Sequence, residues 1–204
     1  TKPEIRKFGI QARNSAEFQE IIDLTSGWNG GWWFRSLGDY NVGALTNLSS
    51  LGQGVTQQEF ANRIRNTVKG GGARLNSLLT ITSKSLLTEG VGDFRDLVWG
   101  VYPSSNSKND DSEVLADFTH RIRTTVSRVQ FAKKEEPLFV RHKPSSKRSA
   151  GGGVDRTDPS EQIESVHLNP FYKEKNRLVG KNVVVIDDCV TYGVSFGVAA
   201  ALLF

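Results

Sequence analysis

The stretch Asn182–Gly197 reads N-V-V-V-I-D-D-C-V-T-Y-G-V-S-F-G and admits few structural readings. Val183, Val184, Val185 and Ile186 form a short, wholly apolar, β-branched run. Such a run suits a strand buried on both faces of a parallel sheet. Two carboxylates, Asp187 and Asp188, stand where that strand must emerge. A short loop holding Thr191, Gly193 and Ser195 follows, and the apolar, Ala-rich residues from Phe196 to Phe204 begin a helix. Ligands of open α/β sheets bind at the carboxyl ends of strands, and backbone N–H groups where a loop opens a helix receive phosphate. The stretch is therefore laid out for a ligand that carries both hydroxyls and a phosphate.

The rest of the chain supplies partners for this strand. Leu97 to Tyr102 reads as a second buried strand, with Pro103-Ser104-Ser105-Asn106 as the loop after it. Asp111 or Ser112 caps the next helix, whose apolar stripe is Val114, Leu115, Phe118, Ile122 and Val126. Leu138 to Arg141 is a third short strand. From His142 to Pro170 the pattern dissolves into Ser, Gly, Pro and Lys, which predicts a flexible loop over about 142–170 that closes on the site, with 161–168 as its one helical candidate.

Ahead of this core, residues 1–92 read as a separate helical or hood region, leaving 93–204 as the α/β core. A helix is expected within residues 1–25, capped by Ser15 and carrying Phe18, Ile21, Ile22 and Leu24 on one face. A second is expected over Thr56–Lys69, where Phe60, Ile64 and Val68 recur at helical spacing and Gly70-Gly71-Gly72 stops it. Three of the four tryptophans crowd with glycines into Gly27–Gly43. Aromatics beside glycines stack flat bases, but they more often pack a corner of a core. Residues 75–87 fit a strand pair or a short helix equally well.

Composition excludes several classes. At 204 residues the chain is long enough for one domain and an appendage. No apolar run approaches the roughly 18 residues of a membrane span, so no membrane partner is expected. A single cysteine, Cys189, rules out an internal disulfide framework and any Cys-cluster metal site, and points to a reducing, cytoplasmic location. The absence of methionine and the end at Phe204, about two turns into its helix, suggest that the residues are part of a longer product whose sheet continues.

The net charge of +4 is unevenly spread. Nine Lys or Arg (Arg121, Arg123, Arg128, Lys133, Lys134, Arg141, Lys143, Lys147 and Arg148) stand against Glu135 and Glu136. Such a tract serves an anionic ligand or nucleic acid, or is a solvated surface.

Residues 183–195, V-V-V-I-D-D-C-V-T-Y-G-V-S, resemble the phosphoribosyl-pyrophosphate (PRPP) signature of type I phosphoribosyltransferases. In that signature four apolar residues precede two acids and a Thr-x-Gly-x-Thr/Ser loop. The resemblance implies a fold of type I phosphoribosyltransferase kind, a central, mostly parallel sheet flanked by helices with a small hood. It implies Mg2+-dependent transfer of the phosphoribosyl group to a nitrogenous base or amine, with release of pyrophosphate. Asp187 and Asp188 would hold the ribose hydroxyls and help hold Mg2+. Thr191, Tyr192, Gly193, Val194 and Ser195 would hold the 5-phosphate. Ser104 and Ser105 fall where such proteins have a pyrophosphate loop, and Lys143, Lys147, Arg148 and Arg156 are candidates to reach pyrophosphate from the lid. A dimer is expected by the same likeness.

Two departures narrow the likeness. Thr191 stands where the branch using hypoxanthine and guanine has an aspartate, which disfavours that branch, and Tyr192 replaces a frequent second Thr. The P-S-S loop, the basic R-H-K-P-S-S-K-R tract and the late signature are similar to the ComF-like branch linked to DNA uptake. A non-catalytic PRPP- or nucleotide-binding module, or one working on nucleic acid, is therefore the alternative. A response-regulator receiver also ends a strand on V-I-D-D, but it carries its acid pair near the start of the domain.

Overall fold

The structure is a computed structural model and describes residues 33–37, 40–44, 59, 62, 63, 66, 67, 70, 76–78, 82, 97–106, 113–127, 134–146, 155–188 and 192–204. The chain divides into two compact units, residues 1–92 with 124–130, and residues 93–123 with 131–204.

In the first unit, β1 (Trp33–Leu37) and β2 (Tyr40–Ala44) form an antiparallel hairpin with Trp33 opposite Ala44 and Leu37 opposite Tyr40. The Trp/Gly-rich segment thus ends in strands. Residues 59, 62, 63, 66, 67 and 70 are helical, so Gly70, the first glycine of the expected stop, is itself helical. Residues 76–78 and 82 are helical as well, which resolves the ambiguity of 75–87 at those positions. Thr67 and Thr82 each return their hydroxyl to the carbonyl four residues back, on Arg63 and Leu78, the usual way a buried Thr is satisfied inside a helix. The helix expected in residues 1–25 lies outside the described residues.

The second unit is mixed α/β. Its elements are β3 (Leu97–Val101), most of α1 (Glu113–Ser127), β4 (Phe139–Arg141), α2 (Ser160–Ser165), β5 (Val166–Leu168), α3 (Pro170–Lys173), a 3-10 turn (Glu174–Asn176), β6 (Asn182–Ile186) and α4 (Val194–Leu203). β3 and β6 pair in parallel, with Leu97 opposite Asn182 and Val101 opposite Ile186. β4 and β5 pair antiparallel, with Phe139 opposite Leu168 and Arg141 opposite Val166. Among the described residues the sheet is therefore one parallel pair and one separate antiparallel pair, not a single mostly parallel sheet.

Alternation explains the core. Phe139 and Arg141 of β4 face inward together, as do Val166 and Leu168 of β5. Tyr102, Leu138, Phe139, Val166, Leu168, Tyr172 and Ala199 form one buried cluster, and Val183 and Val185 of β6 pack on it with Leu202 and Leu203 of α4. Each fully buried aliphatic of this kind contributes roughly 1.5–3 kcal/mol. β6 is only half-buried along Val183–Ile186, so its apolar run is not explained by burial on both faces.

The loop predicted over 142–170 is largely built structure. Gln162, Ser165, Val166 and Leu168 are buried, and 161–168 is a helix that turns into a strand at Val166, not one helix. The β-branched Val166 finds a ladder partner in Arg141, and tertiary pairing overrides local helical preference there. Residues 147–154, with Lys147 and Arg148, lie outside the described residues. No helix among the described residues is long and apolar enough to cross a membrane.

Candidate functional site

Because β3 and β6 run parallel and in register, their carboxyl ends stand side by side. The ladder continues one step beyond the strands, where the Tyr102 amide donates to the Ile186 carbonyl oxygen at 3.1 Å. Pro103–Asn106 and Asp187–Asp188 thus leave the same end of neighbouring strands, about 5 Å apart across the ladder. The two candidate segments, some eighty residues apart in sequence, become neighbours by this pairing alone.

Asp187 Oδ1 accepts the amide of Asp188 at 2.8 Å, a short turn that fixes the first carboxylate as the chain leaves β6. Both acids are partly exposed. Thr191 lies outside the described residues. Tyr192 is exposed, and Gly193 has φ +76°, the left-handed region that favours glycine. Its Cβ position is open space, so this glycine is required by backbone conformation and not by a close neighbour. α4 starts on Val194, two residues earlier than the apolar run suggests, which puts Ser195 in its first turn. The first bond of the helix runs from the Gly197 amide to the Gly193 carbonyl at 2.8 Å. The amides of Val194, Ser195 and Phe196 therefore lack a helical partner, as at every helix start.

On the β3 side, the loop Pro103–Asn106 is tied to the segment after β4. The Ser145 amide donates to the Ser105 carbonyl at 2.9 Å. Arg141, only 2% exposed, donates from Nε to the Ser104 carbonyl and from Nη2 to the Pro103 carbonyl at 3.4 Å. The same guanidinium donates to Ser165 Oγ and, at 2.8 Å, to Gln162 Oε1. Gln162 Oε1 also accepts the Tyr102 hydroxyl at 3.1 Å. The basic tract is accordingly not one charged face. Arg141 belongs to the interior, Arg123 pairs with Glu135 at 3.2 Å, and Lys134 pairs with Asp117 at 3.6 Å. Lys143 is exposed but sits 2.8 Å from Glu164, whose carboxyl it holds below the usual range.

Three arrangements escape a sequence reading. Arg141 was the most accessible to one, since period-two alternation places it on the inward face of Phe139. Glu135 is the second: its Oε2 accepts the Trp99 amide at 2.9 Å and so closes β3 on the side away from β6. His142 and His167 are the third, with Nδ1 atoms 3.1 Å apart.

Asp187 and Asp188 are hard oxygen donors of the type Mg2+ takes, and that ion binds through one or two carboxylates while keeping waters and substrate phosphates. The donor set fits on that ground. Among the described residues no group of three or more His, Cys, Asp or Glu could hold a metal by protein ligands alone. No family model, curated protein or solved structure matches this chain.

Proposed function

We propose that the chain is a phosphoribosyltransferase that takes PRPP and transfers its phosphoribosyl group to a nitrogen nucleophile, on a core of the type I phosphoribosyltransferase kind. The observation that carries the reading is the parallel register of β3 and β6, which sets the Pro103–Asn106 loop beside Asp187 and Asp188 at one strand end. PRPP needs three kinds of receptor at one place. Carboxylates accept hydrogen bonds from the ribose hydroxyls. Amides at the start of a helix hold the 5-phosphate, here those of residues 194–196 with the Ser195 hydroxyl. A second anion receptor must hold the pyrophosphate, and the reading gives that role to the Ser104–Ser105 segment, whose strand is paired with that of Asp187.

In such a site the C–O bond between the anomeric carbon and pyrophosphate breaks as a nitrogen attacks, through an oxocarbenium-like transition state of the kind known in glycoside cleavage. Asp187 and Asp188 stabilise positive charge growing on the ribose. Mg2+, when bound, neutralises charge on the departing pyrophosphate. The acceptor is a base or amine.

Isothermal titration with PRPP and Mg2+ tests the reading. Binding with pyrophosphate release in the presence of a panel of bases supports it. Binding without release makes the protein a PRPP sensor, and absence of heat at millimolar PRPP removes both.

A further inference from the structure

We propose that Arg141 is a positioning residue: by drawing the carbonyls of Pro103 and Ser104 inward, it turns the amides of Ser104 and Ser105 outward as a receptor for the pyrophosphate end of the substrate. The identity of that ligand rests on the phosphoribosyltransferase reading, whereas the orientation of the loop rests on Arg141 alone.

The geometry follows from the peptide unit. No described peptide bond is cis, and in a trans peptide the C=O of one residue and the N–H of the next point in opposite directions. Arg141 holds the carbonyls of Pro103 and Ser104, and the Ser145 amide holds that of Ser105. Three successive carbonyls thus face the 141–145 segment, and the amides of Ser104, Ser105 and Asn106 face away from it. Successive amides on one side of a loop form an anion receptor, as in the first turn of a helix. The amides of Ser104 and Ser105 donate to no described residue, and Ser104 Oγ is buried with no hydrogen-bond partner.

Stability alone is a poor account of Arg141. Enclosing a guanidinium strips it of its hydration, and apolar residues of similar volume serve a core as well or better. An arginine does offer five donors in a fixed plane. Here they reach the loop after β3 and, through Ser165 Oγ and Gln162 Oε1, the helix α2. A methionine in its place fills the volume but leaves the loop carbonyls free to turn.

The test is a titration of the full chain with inorganic pyrophosphate and Mg2+, followed by NMR at the Ser104 and Ser105 amides, for the wild type, Arg141→Met and Arg141→Lys. A parallel titration with ribose 5-phosphate reads the Tyr192–Ser195 end. The wild type is expected to shift both amides. Arg141→Met is expected to bind pyrophosphate at least about tenfold more weakly, the loss of one hydrogen bond to a charged ligand, with ribose 5-phosphate affinity unchanged. Arg141→Lys should fall between the two. Equal pyrophosphate affinity in Arg141→Met, an equal loss for both ligands, or no response of the wild-type amides at millimolar pyrophosphate overturns the proposal. If Arg141→Met does not fold, Ser105→Pro removes one amide and leaves Arg141 in place, and undiminished pyrophosphate affinity there overturns it too. Failure of ribose 5-phosphate and PRPP to bind the wild type, with an Arg141-dependent pyrophosphate response intact, removes the phosphoribosyltransferase reading and leaves the role of Arg141 standing.

Discussion

A Cβ on Gly100 would lie 2.5 Å from Leu138 Cδ2 and 2.7 Å from Leu138 Cβ. β3 therefore passes so close to the chain entering β4 that only a hydrogen fits between them. Leu138 is fully buried and cannot swing outward. Gly100→Ala is expected to destabilise the second unit by about 1–3 kcal/mol, the usual range for overpacking. Adding Leu138→Ala should give less than additive loss, because the first substitution fills part of the space the second vacates. Urea denaturation of the two single variants and the double variant checks this.

Gly193 poses a different constraint, since its φ of +76° is strained for any residue with a Cβ while its surroundings are open. Gly193→Ala should cost about 1–2 kcal/mol, and Gly193→Asn less, since Asn tolerates the left-handed region. Equal losses for the two in thermal melts would mean that the turn relaxes and that conformation is not the constraint.

Asp187→Asn combined with Asp188→Asn is expected to abolish PRPP binding while leaving the fold intact. The carboxamide introduced at position 187 would keep an Oδ1 to accept the amide of residue 188, as Asp187 does at 2.8 Å. Calorimetry with PRPP and Mg2+ measures the effect, and retained affinity would refute the ribose assignment.

Glu135 is a partly buried carboxyl whose pKa is raised, chiefly by loss of hydration, against the opposing pull of Arg123 and of the Trp99 amide. The folded state thus binds its proton more tightly than the unfolded chain does. Its contribution to stability is full below the ordinary carboxylate range, about pH 4.3, and is lost as pH rises through the raised value. Glu135→Gln keeps an acceptor for Trp99 but does not titrate. The change in urea midpoint between acidic and neutral pH should therefore be smaller in that variant than in the wild type.

His167 has the opposite sign. Burial, then His142 and then Lys173 lower its pKa from 6.5. Its contribution to stability is present above about pH 6.5 and lost as pH falls through the lowered value. The Nδ1 atoms of His142 and His167 are 3.1 Å apart, so both rings cannot be charged without repulsion. His142→Asn should raise the His167 midpoint toward its ordinary value, which an NMR titration of the imidazole resonances reads directly. An unmoved midpoint would mean that His142 has no part in the shift.

The elements of the second unit were legible wherever a local pattern was sufficient. The run expected over Leu97–Tyr102 is a strand at Leu97–Val101 and the run Val183–Ile186 lies in the strand Asn182–Ile186, the Phe118, Ile122 and Val126 stripe is helical, and the Ala-rich end is a helix. Residues 160–168 were legible only in part: the helix expected over 161–168 is present as Ser160–Ser165, whereas Val166–Leu168 is a strand whose pairing with β4 no local pattern records. Lys143 looked available for a ligand, yet it is engaged by Glu164, a partner twenty-one residues away.

By itself, then, the sequence determined that Asp187 and Asp188 follow an apolar strand, that a glycine and Ser195 stand at the opening of a helix, and that a Pro-Ser-Ser loop follows another apolar strand. These are properties of neighbouring residues, governed by side-chain branching, backbone freedom and period. Only the tertiary structure decided that the two strands are parallel and adjacent, so that both loops emerge at one end. It also decided that Arg141, one charge among many in a basic tract, is buried with its donors on the carbonyls behind Ser104 and Ser105. Alternation along β4 is enough to turn Arg141 inward, but strand register and the carbonyls that its donors reach depend on contacts between residues far apart in sequence, and local pattern carries no record of those.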